Sequence, residues 1–317
     1  MIIFATLMSL MSLHSSSEPL STEPVSRIVA TVETPGVAKC VTVEGQYAYV
    51  GYRGGMSVYD LADPASPELV DDLNFGDAYV NEIKVIGDRA YLAAGFNGVI
   101  VLDLTDASRP KQLSEYGQLG EVMGIDVHGT TMYASGNGPG LISFEVARDG
   151  TLTMLKQRRT TGIAQCVQFV NDSIFVSERR VGLSIYEPLR NHHARDVSVT
   201  KTADEAFGFE VVGNIAFICD QEAGFTTMDI SNRRWPEYLS TVKLTSSAYR
   251  VDVEGTRAYV ASTDAGIHVI DVHDPAKPTL IEHIEGFEWA FDIDVVGRYG
   301  YVADSNSGFK VIEFARD

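Results

Sequence analysis

Residues 266–278 read GIHVIDVHDPAKP, and residues 55–67 read GMSVYDLADPASP, a close copy near the other end of the chain. Each segment begins with glycine, continues as an alternating aliphatic strand that ends in aspartate, and closes in a corner bounded by proline. Short β-branched runs bounded by Gly, Asp and Pro indicate β-strands. Internal repetition of this kind overrides any domain count based on length, because repeated units stack into one domain.

Turn residues mark that period. Positions spaced by 42 residues carry glycine six times and asparagine once: Gly45, Gly87, Gly129, Asn171, Gly213, Gly255 and Gly297. Asparagine substitutes well here because it tolerates the left-handed backbone of a tight turn. A second series follows about eleven residues later: Gly55, Gly98, Gly140, Gly182, Gly224, Gly266 and Gly308. Residues 24–317 therefore accommodate seven units of one length.

Each unit contains four strand signals. In the sixth unit these are RVDVEG (250–255), RAYVAS (257–262), GIHVID (266–271) and PTLIEHIEG (278–286). Four antiparallel strands in about 42 residues are typical of one blade of a β-propeller. The sequence therefore predicts an all-β protein, a seven-bladed β-propeller of four-stranded antiparallel blades, in which residues 24–317 form one domain.

The two ends of the chain predict how the ring closes. The last unit stops after its third strand, GFKVIEFARD (308–317), and lacks a fourth. The segment PVSRIVATVETPGVA (24–38) has the character of a fourth strand without a unit of its own. We expect residues 27–33 to pair with the third strand of the last blade, a 3+1 closure that hides two sheet edges.

Residues 1–23 are predicted to be a signal peptide or a disordered tail. Residues 2–13 are an apolar run of signal-peptide length, too short to cross a bilayer as a helix, and small serines at 15–17 could allow cleavage. No Lys or Arg precedes the run. The expected location is secreted, periplasmic or in the cell envelope, or cytoplasmic if the run is not a signal. No other stretch is predicted to be transmembrane.

Charge and cysteine content narrow the function classes. The net charge is −18, and an acidic surface repels phosphate backbones, which argues against nucleic-acid binding. Cys40, Cys166 and Cys219 are far apart and show no metal-binding spacing, so they are expected to be small buried apolar residues.

Three segments, GMSVYDLADPASP, GVIVLDLTDASRP (98–110) and GIHVIDVHDPAKP, resemble the LVIVD repeat. The resemblance extends over nearly all of residues 24–317, is recognisable in units five and seven, and is lost after the glycine in units three and four. It implies a β-propeller of a kind common in exported bacterial or archaeal proteins. It implies no particular reaction, and the repeat motif is structural, so no catalytic residues are carried over.

The innermost strand of each blade is predicted to line a central channel. Three residues before each turn stand Thr42, Lys84, Asp126, Gln168, Glu210, Asp252 and Asp294. Five residues before each turn stand Cys40, Glu82, Gly124, Cys166, Gly208, Arg250 and Asp292. Two interpretations stay open: a hydrated channel of mutually paired charges, or a cation site near Asp252, Asp292 and Asp294, where oxygen ligands would suit Ca²⁺. No other cofactor is predicted.

The loops that join second to third strands, and each fourth strand to the next blade, should lie on the top face, where propellers commonly place function. Candidate ligand-binding residues on this face and in the channel are Tyr52, Arg53, Glu178, Arg179, Asp220, Arg250, Trp289 and Asp304. The sequence contains no GxSxG, HExxH, P-loop or dinucleotide-binding motif.

Two functions therefore remain. The first is a monomeric binding or interaction scaffold that takes a protein, a peptide or a small molecule at its top face and channel. The alternative is a propeller enzyme of the lactonase, lyase or isomerase type that uses channel carboxylates with an Arg or Tyr of the top face.

Overall fold

Twenty-seven strands, and no helix, make up the part of the chain that the structure describes. The structure is a computed structural model that describes residues 26–190 and 192–315, so the predicted signal peptide or tail lies outside it. Within these ranges there is no helix of the length and apolarity needed to cross a membrane.

The strands form seven antiparallel sheets in chain order, which are the seven blades of a propeller. Blade one consists of β2 (Ala38–Glu44), β3 (Tyr47–Asp60), which supplies both its second and third strands, and β4 (Glu68–Tyr79). Blade two consists of β5 (Glu82–Ile86), β6 (Arg89–Ala93), β7 (Val99–Asp103) and β8 (Lys111–Tyr116). Blade three consists of β9 (Glu121–His128), β10 (Thr131–Asn137), β11 (Gly140–Val146) and β12 (Leu152–Arg158).

The other four blades repeat this plan. Blade four consists of β13 (Ile163–Val170), β14 (Ser173–Arg179), β15 (Gly182–Pro188) and β16 (Ala194–Thr200). Blade five consists of β17 (Phe209–Val212), β18 (Ile215–Cys219), β19 (Phe225–Asp229) and β20 (Glu237–Val242). Blade six consists of β21 (Arg250–Glu254), β22 (Arg257–Ala261), β23 (Ile267–Asp271) and β24 (Thr279–Ile284). Blade seven consists of β25 (Ala290–Val296), β26 (Tyr299–Asp304), β27 (Phe309–Glu313) and, from the other end of the chain, β1 (Arg27–Val32).

The ring closes as the sequence predicts, because β1 is the outermost strand of blade seven. It runs antiparallel to β27, with Arg27 opposite Glu313 and Val32 opposite Phe309. Side chains reinforce the pairing: Arg27 forms an ion pair with Glu313 at 2.7 Å, and the Ser26 hydroxyl accepts a hydrogen bond from the backbone N–H of Ala315 at 2.9 Å. The N-terminal strand thus covers an edge that the last blade would otherwise expose.

The core is divided into seven apolar clusters, one between each pair of neighbouring blades. The cluster between blades seven and one joins Phe309 and Tyr301 of one to Tyr59 and Val41 of the other. Because each sheet is covered on both faces by its neighbours, no blade can be removed without exposing two apolar surfaces.

The repeated turn residues have the backbone conformation that the period predicts. Gly45 and Gly255 lie in the left-handed region with φ of 59° and 62°, and Asn171, which takes the glycine's place in blade four, has φ of 48°. In four blades an aspartate at the end of the third strand shapes the corner: Asp271 accepts a hydrogen bond from the backbone N–H of His273 at 2.8 Å. Equivalent bonds occur at Asp60, Asp103 and Asp229.

Removing residues 1–34 should expose the edge of β27. We expect the free energy of unfolding to fall by roughly 3–5 kcal/mol, because Val29 and Val32 leave the cluster between blades seven and one. Thermal denaturation of the truncated and full-length proteins measures this. Removing residues 1–24, which leaves β1 in place, is the matched control, and an unchanged melting temperature after the longer deletion would contradict the closure.

Candidate functional site

The inner strands of the seven blades surround a central channel, and each is the unpaired edge of its sheet. Backbone N–H groups on such an edge need acceptors from outside the sheet. We call the end of the channel where the inner strands begin the top. Three levels of side chains follow from top to bottom, at positions six, five and three residues before each turn, and we call them the upper, middle and lower rings.

The lower ring joins neighbouring blades. It consists of Thr42, Lys84, Asp126, Gln168, Glu210, Asp252 and Asp294. Five of these, from Asp126 to Asp294, each accept a hydrogen bond from a backbone N–H of the next blade. The donors in the same order are Phe169, Val211, Val253, Val295 and Val43, at 2.6–2.8 Å. The acids of the channel wall are therefore acceptors that hold the ring together.

Crowding of these carboxyl groups changes their titration. Burial, together with the charge of Asp252, raises the pKa of Glu210 to about 8. Burial and the charge of Asp294 raise the pKa of Asp252 to about 7. Lys84 lies 3.8 Å from Asp126 and is the one cation of this ring. At neutral pH the lower ring therefore carries fewer negative charges than its residue types suggest.

In the middle ring, Arg250 blocks the channel. Its Nη1 atom donates to Cys166 Sγ at 3.0 Å and lies 3.4 Å from a carboxylate oxygen of Glu82, so the side chain reaches from blade six to blades four and two. Gly208 leaves the space for it, since a Cβ there would lie 2.9 Å from Arg250 Cδ. Burial raises the pKa of Asp292 to about 7, although the Arg250 charge opposes the shift. Arg250 thus divides the channel into a lower cavity of about 280 Å³ and a pocket above it of about 300 Å³.

The upper ring differs around its circumference. Its seven members are Lys39, Asn81, Met123, Gln165, Phe207, Tyr249 and Phe291. Blades five to seven contribute three aromatic rings in series, with centroids 4.9 Å apart from Phe207 to Tyr249 and 5.2 Å apart from Tyr249 to Phe291. Blades one to four contribute the lysine, the two amides and the methionine. The mouth of the channel therefore has one aromatic half and one mainly polar half.

We call the space between this ring and Arg250 the upper pocket. Besides five upper-ring residues and Arg250, it is lined by Asp77, Tyr79, Gly95, Phe96 and Glu121. Gln165 is 4% exposed, and its Oε1 atom has no hydrogen-bond partner among the residues the structure describes. A buried amide oxygen without a partner costs about 1–3 kcal/mol, so this atom favours a donor in the pocket.

Two cations stack on the aromatic half of the upper ring. The Lys39 ammonium lies 3.5 Å from the centroid of Phe291, and the Arg179 guanidinium lies 4.7 Å from that of Phe207. Burial lowers the pKa of Lys39 to about 8, and the charge of Glu121 opposes the shift. Lys39 is thus a cation that releases its proton readily, and it lines the same pocket as Glu121.

Three predicted top-face residues turn out to brace loops. Glu178, Asp220 and Asp304 share one position of the repeat, are at most 1% exposed, and accept hydrogen bonds from the loop that leads into their own blade. The backbone donors are Gly162, Ala203 and Trp289, at 2.7–2.8 Å. Asp304 also forms an ion pair with Lys310 at 2.7 Å. A contact that recurs in three blades points to a role in the fold.

Of the other predicted residues, Tyr52 is buried within its blade, and three lie nearer the surface or the channel mouth. Tyr52 is buried in blade one, where its hydroxyl donates to Asp72 at 2.9 Å. Arg53 lies over the ring of Tyr79, 5.1 Å from its centroid, at the outer side of the upper pocket. Arg179 pairs with Glu205 at 2.6 Å. Trp289 is 44% exposed and extends the aromatic series at 6.1 Å from Phe291.

The predicted cation-site residues Asp252, Asp292 and Asp294 all line the lower cavity. Each already accepts a backbone N–H: those of Val295, Val41 and Val43, respectively. Within residues 26–190 and 192–315, no three His, Cys, Asp or Glu side chains are grouped closely enough to hold a metal ion.

Of the residues that line the upper pocket, sequence reasoning identified Arg250 but missed four members of the upper ring. Lys39, Asn81, Met123 and Gln165 were not among the candidates, although they stand at one repeat position. The same 42-residue spacing identifies these residues when it is applied six residues before each turn, one residue before the middle ring. Glu121 is harder to identify, because it stands at the first residue of β9, eight residues before the turn, outside the two series that identified the middle and lower rings.

Comparison with known families agrees with the repeats read from the sequence. The model described as "LVIVD repeat" matches residues 35–74, 77–117, 205–242, 246–285 and 289–313, more than half of the chain. The unmatched stretch between the second and third segments contains units three and four, where the pattern is lost. No curated protein matches the chain.

Solved structures resemble the fold at very low sequence identity. The WD40 domain of Pan2 from Neurospora crassa has a TM-score of 0.73 and 11% identity, over 93% of this chain and 97% of that one. The computationally designed protein Ika8 has a TM-score of 0.67 and 10% identity, over 92% and 99%. At these identities the likeness shows the propeller fold and nothing about function.

The lower ring predicts a pH dependence of stability. The folded state holds the Asp252 proton up to a pH of about 7, whereas the unfolded chain loses it near pH ~4. The contribution of this group to the free energy of unfolding is therefore greatest below pH ~4 and is lost as the pH rises through about 7. Asp252→Asn keeps an acceptor for Val295 without the charge, so it should raise the melting temperature by about 2 °C or more at pH 8.5 and by less at pH 5.

Gln168 supplies the reciprocal control, because it makes the same inter-blade hydrogen bond with a neutral amide. Gln168→Glu should lower the melting temperature more at pH 8.5 than at pH 5. Asp252→Ala, which leaves the Val295 N–H without its acceptor, should be destabilising at both values. If Asp252→Asn lowers the melting temperature equally at both pH values, charge crowding in the lower ring is not the cause.

Proposed function

Because this chain belongs to the LVIVD repeat family, and its repeats form the scaffold, we propose that it is an exported binding protein whose ligand occupies the upper pocket. Gln165 carries the proposal. The residue lines a pocket that contains aromatic and charged side chains, and its buried amide oxygen lacks a partner within the described residues. A concave site with a few convergent polar groups on an apolar wall is the usual form of a ligand site.

The position of the pocket on the repeat supports the same conclusion. The lower-ring acids and the loop-bracing acids recur from blade to blade and act in the fold, whereas the upper ring changes character from blade to blade. A single ligand needs an asymmetric set of contacts, which a position that carries the same kind of residue in blade after blade does not provide. The upper ring and its loops are the part of the channel where the repeat is not maintained.

Binding accounts for this arrangement better than chemistry does. The enzyme alternative requires channel carboxylates and a top-face Arg or Tyr to act on one substrate. Arg250 lies between the lower-ring carboxylates and the upper pocket, and those carboxylates are engaged by backbone N–H groups. The carboxylates that line the upper pocket, Asp77 and Glu121, suit the recognition of a polar ligand.

Export is the second part of the proposal and rests on residues 1–23. We expect the protein expressed in its host to appear outside the cytoplasm with its N-terminal apolar run removed. N-terminal sequencing of the mature protein from fractionated cells measures this. A full-length chain recovered from the cytoplasm would contradict export. It would not affect the binding proposal, which rests on the upper pocket.

A thermal-shift screen against a library of metabolites and short peptides tests the binding proposal. A ligand present at 100 times its Kd should stabilise the folded state by about 2.7 kcal/mol, a rise of several degrees in melting temperature. Compounds that stabilise the wild type should lose their effect in Gln165→Leu and be weakened by Phe96→Ser at the rim of the pocket. Hits that are insensitive to both substitutions would contradict the proposed site.

Trp235 provides a matched control for the rim. Phe96 and Trp235 are both exposed aromatic residues, at 74% and 70%, but Trp235 lies in a lower corner of blade five. Trp235→Ser should leave every hit unchanged. In the same screen Ca²⁺ and EDTA test the proposed cation site at Asp252, Asp292 and Asp294, and a melting temperature moved by neither would count against it.

A further inference from the structure

We propose that the upper pocket binds a zwitterionic α-amino acid, with its carboxylate toward Lys39 and its ammonium group toward Glu121 and the amide oxygen of Gln165. This inference rests on the proposed binding function and deepens it by naming the class of ligand. It follows from the charges that line the pocket, from the unpartnered acceptor and from the apolar wall.

The charged groups of the upper pocket balance. Lys39 and Arg250 are cationic, and Asp77 and Glu121 are anionic. A ligand with a net positive charge would meet the two cations, and a ligand with a net negative charge would meet the two carboxylates, each in a partly desolvated space where repulsion is strong. A small molecule that carries one charge of each sign can pair with both sets, so the lining favours a zwitterion.

The acceptors of the pocket suit an ammonium group. Within residues 26–190 and 192–315, the buried Gln165 Oε1 accepts no hydrogen bond, and the Glu121 carboxylate accepts only a long one, from Asn137 Nδ2 at 3.4 Å. An ammonium group has three donors and no acceptor, so it matches a pocket lined by unpaired acceptors. Arg250 does not compete, because its guanidinium is directed to Cys166 and Glu82.

Lys39 is suited to the carboxylate. Its ammonium rests on the face of Phe291, which holds it at the pocket wall without an anionic hydrogen-bond partner in the described chain. Because its pKa is about 8, Lys39 is only half protonated at pH 8. A bound carboxylate would stabilise the charged form and draw a proton from solution, up to about half a proton per ligand at that pH.

The remaining wall and the size of the pocket restrict the side chain of the ligand. Tyr79, Phe96, Met123 and Tyr249 offer aromatic and thioether surface, which favours an apolar side chain. A volume of about 300 Å³ lies at the lower end of the range for small-molecule pockets. A single amino acid such as leucine or phenylalanine is of the size that such a pocket encloses, and a folded partner is not.

Isothermal titration calorimetry with the full chain and L-leucine at pH 8 tests the inference. Titrations in phosphate and in Tris, which differ in ionisation enthalpy, measure protons taken up on binding. Two leucine analogues each lack one charge: 3-methylbutylamine has no carboxylate and 4-methylpentanoate has no ammonium group. We expect leucine to bind at least tenfold more tightly than either analogue and to take up a fraction of a proton.

Variants separate the two ends of the ligand. Lys39→Met should weaken leucine binding at least tenfold and abolish proton uptake, while leaving the affinity for 3-methylbutylamine nearly unchanged. Gln165→Leu should weaken leucine and 3-methylbutylamine alike. Lys277→Met, at an exposed corner of blade six, is the charge-matched control and should change nothing. Melting temperatures of the free variants establish that each is folded.

Either analogue binding as tightly as leucine would overturn the inference, since the pocket would then recognise a simple cation or a simple anion. Failure of leucine, phenylalanine and glycine to bind at all would overturn it too. The proposed binding function is tested separately. It is supported if any other compound stabilises the wild type and loses its effect in Gln165→Leu, and it is contradicted if no compound does so.

Discussion

The hydrogen bond from the backbone N–H of one inner strand to a side chain of the preceding blade is the interaction on which the rest of this propeller depends. The inner strand is the edge of its sheet, and its N–H groups cannot be left buried without acceptors. The lower ring supplies these acceptors five times, and the bond from Val43 to Asp294 joins blade one to blade seven. The same bond that holds neighbouring blades in register thus closes the ring, in concert with β1 on its outer side.

This constraint explains the acidic channel. The groups to be satisfied are donors, so the matching side chains must be acceptors, and Asp, Glu and Gln are the residues that can reach across to the next blade. Gln168 makes the bond as well as its charged neighbours do, which shows that an acceptor is required and a charge is not. The surplus of carboxylates is then tolerated because burial and mutual repulsion raise the pKa values of Glu210 and Asp252 toward and above neutrality. A cluster of acids in a propeller channel is therefore weak evidence for a metal ion.

Much of the fold could be predicted from sequence because it rests on local and repeated signals. The turn glycines require a positive φ, the alternation of apolar residues sets the strands, and the spare strand at 27–33 has only one sheet edge to cover. The candidate site was harder to predict from the sequence than the fold. Glu178, Asp220 and Asp304 looked like exposed loop residues until the structure placed them under the loops they brace. Arg250 crosses the channel because Gly208, far away in sequence, leaves room for it, and no spacing within one blade indicates that.

The upper ring shows how a repeat protein acquires a single site. At the lower ring the backbone N–H groups of the inner strands need side-chain acceptors, which restricts the residue types there. Near the top the loops pair with the backbone of the inner strands, so the side chains at that level need not be acceptors. Asp220, directly after the second strand of blade five, and Asp304, at the end of the second strand of blade seven, accept hydrogen bonds from the loops that lead into the inner strands of these blades. On that mouth the aromatic residues Phe207, Tyr249 and Phe291 face the amides of the opposite blades. Because the lower ring stabilises the contacts between blades, the residues of the upper ring can differ from blade to blade. The symmetric part of the channel therefore permits an asymmetric pocket above it.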